Sequence, residues 1–584
     1  MDILKLKDSY DSLDSIEEHF KIEAGPGAGK TTFLARHVKR VLTESTRLKS
    51  TRKVACITYT NVGVHSLRER LGKVSHEVEV STIHSFLYRH VLKPYSWLLD
   101  EWPFEDKKIP TLYRQRLSGN FIGEILRETN DSYLFYKQKV PLNKIREVME
   151  KAKWLKINNE YEFKLVSDYQ RKLEVSNDEK GSEKRWLKQA NIDFYREKCH
   201  EAGILLYEDV LYFSYLLIKR YEEIREIIRA KFPYIFIDEF QDTTSLQTDI
   251  LKYLSEKEVV LGVIGDKYQS IYGFTGATVQ EFNDWKLPKM KTYTIQQNRR
   301  AHDSIVKVLN SFKKNGELNQ TPIRSKITDG KPLIIPGTLE EATIYCRGKW
   351  EEEFLVLGYN FDKTIESYNP KLKDISFKKF LDFLSDDSKR GRKIRATLKV
   401  IEAFNQFDYT KAIKKITSLQ KRDTQLNEEE ALKYLEVVRK TYNQYLDKPL
   451  KKYYMEVLFE LRFADAGRIS DKGRPSRKYS ISLKEALSAI SIEDRKYQEV
   501  QTIHSMKGDE ADNILVSLPS KSFKFLMDPD LSNKDEEHRV YYVAASRARE
   551  NLAFQVEQEY FEEIKGIDKN LFRVIRRDEI KAVL

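Results

Sequence analysis

The chain has 584 residues, 40% of them hydrophobic, so its length exceeds one typical domain. Its 102 Lys and Arg outnumber 90 Asp and Glu, and this basic excess favours a polyanionic partner. There is no run of about 18 apolar residues and no apolar signal-peptide core at the start, so we expect no membrane segment. Three widely spaced cysteines exclude a disulfide framework and predict a cytoplasmic protein.

A glycine-rich stretch near the start reads EAGPGAGKTT over residues 23–32, between a predicted strand and a predicted helix, Phe33 to Leu42. Such a loop curls its backbone N–H groups around one anion, and the helix dipole adds positive charge. Lys30 would supply a charge to the outer phosphates of ATP, and Thr31 a hydroxyl to Mg²⁺. The predicted ATP-binding residues of this P-loop are Ala24, Gly25, Pro26, Gly27, Ala28, Gly29, Lys30, Thr31 and Thr32.

A second motif consists of two carboxylates at the end of an apolar strand, Tyr234 to Ile237. Asp238 would hold the magnesium ion, directly or through water. Glu239 would orient the attacking water and accept its proton. Together with the P-loop, the pair predicts a nucleoside triphosphatase.

The same order of strand, polar tip and helix recurs along the chain. Val54 to Ile57 is followed by a polar tip and a helix, Val62 to Leu71, and the strand Val78 to Val80 leads into Ser81-Thr82-Ile83-His84. This order is typical of an α/β fold whose parallel strands carry functional residues at their carboxyl ends. Residues from about 90 to 205 are charged and predict an inserted helical subdomain.

A family resemblance rests on motifs in order. Asp238-Glu239-Phe240-Gln241-Asp242-Thr243 resembles the D-E-[YF]-Q-D-T signature of the UvrD/PcrA/Rep-type superfamily 1 helicases. Further segments resemble the other helicase motifs of that family: 57–71, 81–86, 263–277, 297–300, 502–510 and 541–549.

The resemblance implies two RecA-like motor domains with ATP between them and two mainly helical inserts. The first motor domain, 1A, would comprise residues 1–90 and 206–290, with insert 1B at 91–205. The second, 2A, would comprise residues 291–365 and 496–584, with a small insert 2B at 366–495.

Residue roles at the ATP site follow from the same resemblance. Gln269 would sense the γ-phosphate, and Arg300 and Arg547 would reach it from domain 2A. Glu510 would accept a hydrogen bond from the ribose. Arg299 stands where an aromatic residue usually stacks on adenine, and a guanidinium can also stack.

The DNA path is also implied by the motifs. Tyr59, Tyr272 and Phe274 occupy aromatic positions along the single strand, where stacking tolerates any base. Thr60, Thr82 and His84 would contact the backbone. A position in the core is the alternative for Tyr59. Two basic stretches, 389–393 and 474–478, are predicted as loops that either touch duplex phosphates or are simply solvated.

Two functions stay open at this point. The first is an ATP- and Mg²⁺-dependent DNA helicase or translocase that moves 3′→5′ on single-stranded DNA and opens single-strand/duplex junctions. The second is a DNA- or nucleotide-sensing subunit that regulates a partner nuclease with little unwinding, as in the general character of the helicase-like subunit of the Gabija antiphage system. The glutamine that usually reads adenine upstream of the P-loop is missing, because no glutamine precedes Gln115.

Overall fold

The structure is a computed structural model, and it describes residues 3–49, 51–104, 119–129, 142–165, 189–273, 276–313, 318–324, 330–350, 353–368, 380, 383–384, 390–405, 409, 412–413, 428–460, 467–470, 474–494, 499–532 and 536–583.

The strands of the described residues fall into two large parallel sheets and two small ones. They are β1 (Leu4–Leu6), β2 (Phe20–Ala24), β3 (Val54–Thr58), β4 (Val78–Thr82), β5 (Ala152–Ile157), β6 (Glu160–Leu165), β7 (Tyr234–Ile237), β8 (Val260–Gly265), β9 (Lys291–Ile295), β10 (Gln297–His302), β11 (Thr321–Arg324), β12 (Leu333–Pro336), β13 (Leu355–Gly358), β14 (Val500–Thr502), β15 (Ala511–Leu518), β16 (Ala548–Val556) and β17 (Arg573–Val574).

The α-helices pack around these sheets or form the inserts. They are α1 (Lys30–Glu44), α2 (Asn61–Leu71), α3 (Ile83–Leu87), α4 (Lys93–Tyr95), α5 (Gly119–Glu128), α6 (Leu142–Met149), α7 (Gln189–Glu201), α8 (Tyr207–Arg220), α9 (Glu222–Lys231), α10 (Ser245–Leu254), α11 (Val279–Asn283), α12 (Asp303–Ser311), α13 (Leu339–Trp350), α14 (Phe361–Tyr368), α15 (Arg390–Asn405), α16 (Glu428–Thr441), α17 (Leu450–Tyr453), α18 (Arg474–Lys478), α19 (Leu483–Asp494), α20 (Lys524–Met527), α21 (Glu537–Ala545), α22 (Phe561–Ile564) and α23 (Arg577–Lys581).

The first large sheet has the strand order β1-β9-β2-β8-β7-β3-β4, and all of its pairings are parallel. Every residue of β3, β7 and β8 is buried, as expected for apolar strands covered by helices on both faces. The carboxyl ends of β2, β8, β7 and β3 meet at one edge of the sheet. This edge therefore gathers the P-loop, the segment of Gln269, the Asp238-Glu239 pair and Tyr59.

The second large sheet has the order β14-β13-β15-β16-β12-β17 and is also parallel throughout. It is built from two stretches of chain that flank the second insert. The two parallel sheets, each covered by helices, confirm the predicted α/β class.

Each sheet and each insert has its own hydrophobic core. Two clusters cover the two faces of the first sheet, and two more belong to the second. A separate cluster lies within residues 122–204, and another within 380–490. Separate cores are the physical mark of units that fold around their own apolar residues.

The first insert differs from the helical prediction in one element. An antiparallel hairpin, β5 and β6, pairs Ala152–Ile157 with Glu160–Leu165. Its turn holds Asn158 and Asn159 at φ angles of 49° and 67°, and two positive φ angles in a row match the twist of a tight hairpin. The asparagine pair between alternating residues is the sequence signal that the helical prediction missed.

One predicted boundary also moves. Residue 290 was the expected end of the first motor domain, yet β9 follows it and pairs with β1 and β2 of the first sheet. The chain leaves this sheet only after Ile295. It then forms β10, which pairs with β11 in a small parallel ribbon between the two large sheets.

Candidate nucleotide and DNA site

The P-loop glycines are required by close neighbours and by backbone angles. Gly27 and Gly29 have φ angles of 71° and 80°, which glycine adopts without strain. A Cβ atom on Gly27 would lie 2.6 Å from Asn298 Oδ1, and one on Gly25 would lie 2.7 Å from Gln320 Cδ. The loop is thus packed against residues of the β10–β11 ribbon.

Lys30 begins α1 and is buried. Its Nζ donates a hydrogen bond to the carbonyl oxygen of Ala24 at 3.2 Å, so the ammonium reaches back across the loop. Pro26 and Ala28 are buried beside it, and Thr32 accepts from Arg70 at 2.9 Å on the exposed side. The Lys30 ammonium therefore connects the two ends of the predicted loop.

Thr31 and Asp238 come together from different elements. Thr31 Oγ1 donates to Asp238 Oδ2 at 3.2 Å. Burial, and next the charge of Glu239, raises the pKa of Asp238 to about 7. One hydroxyl and one carboxylate fit Mg²⁺, which usually takes few protein ligands and completes its shell with water and phosphate oxygens.

Glu239 follows directly and has an unusual backbone. Its φ of 54° is uncommon for a residue with a side chain and is a form of strain found at functional sites. Burial favours its neutral form, but Lys30 and Lys507 outweigh burial and hold the pKa of Glu239 below its usual range. Glu239 accepts from Gln241 Nε2 at 2.6 Å. The charged form of this carboxylate can accept a proton from water.

Arg547 connects the regions of the two large sheets by a hydrogen bond. It lies between α21 and β16, and its guanidinium donates to Gln269 Oε1 at 2.9 Å. Gln269 in turn donates to Asp266 Oδ2 at 2.7 Å. Arg547 is 3% exposed, and burial, followed by the charge of Arg300, lowers its pKa to about 9. A buried guanidinium of this kind favours an anionic ligand.

Arg300 and Glu510 form an ion pair with an Nε to Oε2 distance of 2.5 Å. Arg300 also donates to the carbonyl oxygen of Ser546 at 3.2 Å, next to Arg547. The structure therefore brings both predicted arginines together, and it places Glu510 on Arg300.

Arg299 contacts the segment that precedes the P-loop. Its Nε donates to Asp8 Oδ1 at 2.8 Å, and its guanidinium carbon lies 4.6 Å from the ring centroid of Tyr10. Arg36 lies over the same ring at 4.7 Å. The backbone N–H of Arg299 donates to Gly27 at 2.9 Å, so this stack borders the P-loop.

A pocket joins the predicted catalytic carboxylates to the predicted DNA path. It is lined by residues of both regions and of the second sheet: Thr31, Thr58, Tyr59, Thr60, Val62, Gly63, Ser66, Asp238, Glu239, Asp242, Tyr272, Lys507 and Gly508. The rings of Tyr59 and Tyr272 stack with centroids 5.1 Å apart. Tyr59 is half-buried at this pocket rather than enclosed in the core.

The two threonines predicted to contact DNA cap helices. Thr60 caps α2 and accepts from the Gly63 N–H at 3.1 Å, and Thr82 caps α3 and accepts from the Ser85 N–H at 3.4 Å. Their hydroxyls mark helix N-termini at the carboxyl ends of the adjacent parallel strands β3 and β4, where backbone N–H groups favour phosphate.

His84 lies beside an aromatic residue that the motif analysis missed. Its ring stacks on Tyr207 with centroids 3.6 Å apart, and Tyr207 is 44% exposed. Burial, and next Lys153, lowers the pKa of His84 well below its usual range. Tyr207 opens α8 just after the first insert, and only the structure brings it to His84.

A second missed residue lies on the second sheet. Tyr359 follows β13 and is 45% exposed, and its ring meets His504 edge-on with centroids 5.7 Å apart. Tyr272 lies 6.4 Å from the same His504 ring. Aromatic rings thus continue from the first sheet to the second.

Two predictions about DNA contacts are not supported by the described residues: one residue lies outside them, and the described residues of the two basic stretches are helical. Phe274 lies outside the described residues. Within the basic stretch 389–393, the described residues 390–393 are helical rather than a loop, because α15 begins at Arg390. Lys393 is 1% exposed, so it is too buried to meet a phosphate. The stretch 474–478 is likewise helical.

In the part of the chain that the structure describes, no helix has both the length and the apolar character needed to cross a bilayer. The cysteines Cys56, Cys199 and Cys346 are buried thiols. The predicted cytoplasmic location stays a prediction.

Comparison with known proteins gives two family matches in order along the chain. The UvrD/REP helicase N-terminal domain matches residues 7–288, and the UvrD-like helicase C-terminal domain matches residues 351–559.

Individual relatives are more distant. The ATP-dependent DNA helicase PcrA of Staphylococcus aureus (strain Mu50) is 26% identical over 330 residues, which are 55% of this chain and 42% of that protein. PcrA of Staphylococcus epidermidis is 26% identical over 303 residues, 51% of this chain and 38% of that protein. The chain therefore covers about two fifths of these relatives. Because the two family matches follow one another across the two sheets that hold the site, the chain belongs to the UvrD/PcrA/Rep-like superfamily 1 helicases.

Proposed function

We propose that this chain is an ATP-dependent DNA helicase or translocase that moves 3′→5′ on single-stranded DNA. The observation that carries the proposal is the contact of Arg547 with Gln269, which brings a cation of the second sheet to the phosphate site of the first. The family membership and the printed name of the PcrA relatives support the same activity. The polarity is taken from the family.

The ATP site supplies a role for each group. Lys30 and the loop N–H groups bind the phosphates, and Thr31 with Asp238 would hold Mg²⁺, whose charge offsets that of the phosphates. Glu239 orients a water and accepts its proton. Arg300 and Arg547 stabilise the charge that develops on the transferred phosphoryl group, an effect that is typically about 10³-fold or more in rate.

Hydrolysis is coupled to DNA through the shared pocket. The carboxylates and the stacked rings of Tyr59 and Tyr272 line the same cavity, so a base stacked there is close to the groups that sense the nucleotide. We propose that the strand continues past His504 toward Tyr359 on the second sheet. Relative motion of domains 1A and 2A would then move the strand by steps.

Two measurements test the proposal. Phosphate release should rise when single-stranded DNA is added, Lys30→Ala should abolish turnover, and Glu239→Gln should still bind ATP without hydrolysing it. Strand displacement should occur on a duplex with a 3′ single-stranded tail and not on one with a 5′ tail.

Each unfavourable result has a distinct meaning. Equal turnover in wild type, Lys30→Ala and Glu239→Gln would reject the ATPase. DNA-stimulated turnover without displacement would favour the alternative, a sensing subunit that regulates a partner nuclease.

A further inference from the structure

Gln320, which directly precedes β11, contacts the P-loop. It is 4% exposed, and a Cβ atom added to Gly25 would meet Cδ and Oε1 of Gln320 at 2.7 Å and Nε2 at 3.1 Å. The amide group of Gln320 is therefore in direct contact with Gly25 of the loop.

The orientation of the amide is set by Asn298. The N–H groups of Arg300 and Ala301 donate to Asn298 Oδ1 at 2.9 and 3.0 Å, which identifies the other amide atom as Nδ2. Asn298 Nδ2 donates to the carbonyl oxygen of Pro26 at 2.8 Å and to Gln320 Oε1 at 3.3 Å. Gln320 Oε1 is thus the acceptor, and Nε2 is the donor that remains.

That donor is buried, and it has no hydrogen-bond partner among the described residues. Buried amide donors in native proteins almost always have a partner, because leaving one unpaired is unfavourable. A buried donor that faces a phosphate-binding loop indicates that the partner is the ligand of that loop.

The backbone of Gln320 is held rigidly. Its N–H donates to Asn310 Oδ1 at 2.9 Å, and Asn310 Nδ2 donates to its carbonyl oxygen at 2.8 Å. The next N–H, of Thr321, donates to Gln296 at 2.8 Å. The backbone that carries this side chain is therefore fixed, and the contact from Asn298 orients its amide group.

The position of Gln320 along the loop favours contact with the outer phosphates of the nucleotide. Lys30 Nζ lies at the carbonyl oxygen of Ala24, next to Gly25, and a P-loop lysine reaches the outer phosphates. Gln320 is at the same end of the loop as this ammonium. Its donor therefore faces the outer end of the triphosphate and not the base.

We propose that Gln320 Nε2 donates a hydrogen bond to the terminal phosphate of the bound nucleoside triphosphate. This inference rests on the proposed ATPase function and adds a phosphate-contacting residue to it. Because the γ-phosphate is absent from the diphosphate, the contact distinguishes the two nucleotides. It also links the β10–β11 ribbon to the nucleotide state.

The test is equilibrium binding of ADP and of a non-hydrolysable ATP analogue, both with Mg²⁺, to the full chain. Gln320→Met keeps the bulk of the side chain and removes the donor. Gln320→Met should lower the affinity for the analogue about tenfold or more and the affinity for ADP less than twofold, because hydrogen bonds to charged groups are stronger than those between neutral groups. The exposed Gln280→Ala is the matched control and should change neither affinity.

A second variant keeps the proposal testable if Gln320→Met does not fold. Gln320→Glu retains an acceptor for Asn298 but places a carboxylate against the phosphate, so it should weaken the analogue more than Gln320→Met does. Equal losses for ADP and the analogue, or no loss, in a folded variant would overturn the inference. Such a result would leave the ATPase function intact if wild type still hydrolyses ATP and Lys30→Ala does not.

Discussion

Lys507 Nζ lies 2.6 Å from Asp242 Oδ2 and 2.7 Å from Oδ1, and this buried ion pair joins the second large sheet to the first. The same ammonium donates to the carbonyl oxygen of Gln269 at 2.6 Å and lies 4.5 Å from the ring centroid of Tyr272. One cation therefore touches the predicted γ-phosphate sensor segment and the predicted DNA path. We infer that it relays the state of one to the other.

Lys507→Met should lower the stimulation of ATP hydrolysis by single-stranded DNA and should also destabilise the fold. Removal of one partner of a buried ion pair typically costs about 3–5 kcal/mol, because the other charge stays buried and unpaired. Thermal unfolding and turnover with and without DNA measure the two effects.

Adding Asp242→Asn to Lys507→Met is the control for that pair. The double variant should recover part of the lost stability, since no unpaired charge remains, but not the DNA stimulation. Full DNA stimulation in Lys507→Met would show that the ion pair is only structural.

Arg547→Ala should reduce kcat much more than it reduces ATP affinity, and Arg300→Ala should act in the same direction. Both groups fall in the predicted domain 2A, so their contribution is expected chiefly when the two predicted motor domains close on the transition state. Steady-state kinetics together with nucleotide titration separate the two quantities. A collapse of affinity with kcat preserved would mean that the arginines bind the ground state.

The local motifs and the sheet that carries them could be predicted from sequence, because each consists of an apolar strand followed directly by its functional residues. Val54–Thr58 and Tyr234–Ile237 are examples in which strand and tip are adjacent in the chain. Adjacency of this kind does not require knowledge of tertiary contacts.

Contacts between distant segments could not be predicted in the same way. Gln320 contacts Gly25 although hundreds of residues separate them in the sequence. Tyr207 stacks on His84 across more than a hundred residues. No local sequence pattern encodes either contact. The basic stretch 389–393 is predicted from sequence as a loop, and its described residues are 390–393. In the structure they begin α15, where Lys393 is buried against the core of the second insert.

Tyr59→Ala should weaken binding of single-stranded DNA by about 1–3 kcal/mol with little dependence on sequence, because base stacking on an aromatic ring tolerates any base. Tyr59→Phe retains the ring and is the control. Titration with oligonucleotides of several compositions measures the change. A loss confined to one base would indicate specific readout instead.

His37 in α1, the helix that follows the P-loop, should make the stability of the fold depend on pH. Its ring is 4% exposed and packs among Phe20, Phe33 and Phe236, with centroids 5.0, 5.8 and 5.2 Å away. Burial, and next the charge of Arg40, lowers the pKa of His37 to about 3. The unfolded chain, with a usual pKa of about 6.5, therefore binds a proton that the folded chain excludes.

His37→Leu should accordingly flatten the acid side of the stability curve. Stability contributed by neutral His37 is present above pH about 6.5 and is lost as the pH falls toward 3, by at most about 1.4 kcal/mol per pH unit. Denaturant unfolding of wild type and His37→Leu at pH 7.5 and 5.5 isolates this group from other acids. Parallel curves would mean that the pKa of His37 is the same in the folded and the unfolded chain.

Nucleotide selectivity should be weaker than is usual in the family. No glutamine precedes Gln115, and Gln320 contacts Gly25 at the start of the loop, where the Lys30 ammonium reaches back to Ala24. The stack of Arg299, Tyr10 and Arg36 borders the P-loop at Gly27. Such a stack can hold the face of any base, but it reads no hydrogen-bonding edge.

We therefore expect GTP or CTP to support DNA-stimulated hydrolysis within about tenfold of ATP. A wrong base costs about 1–3 kcal/mol of binding free energy when it leaves a buried polar side chain unpaired. Without such a side chain, the difference in kcat/KM between nucleotides should stay near tenfold, which is about 1.4 kcal/mol. Phosphate and ribose contacts are common to all four nucleotides, so binding itself should persist. Values of kcat/KM for the four nucleotides decide the matter, with Arg299→Ala as the variant that should lower all four together. A preference for ATP above about a hundredfold would falsify the idea and would show that a group such as Asp8 or Ser9, beside the loop, reads the base edge.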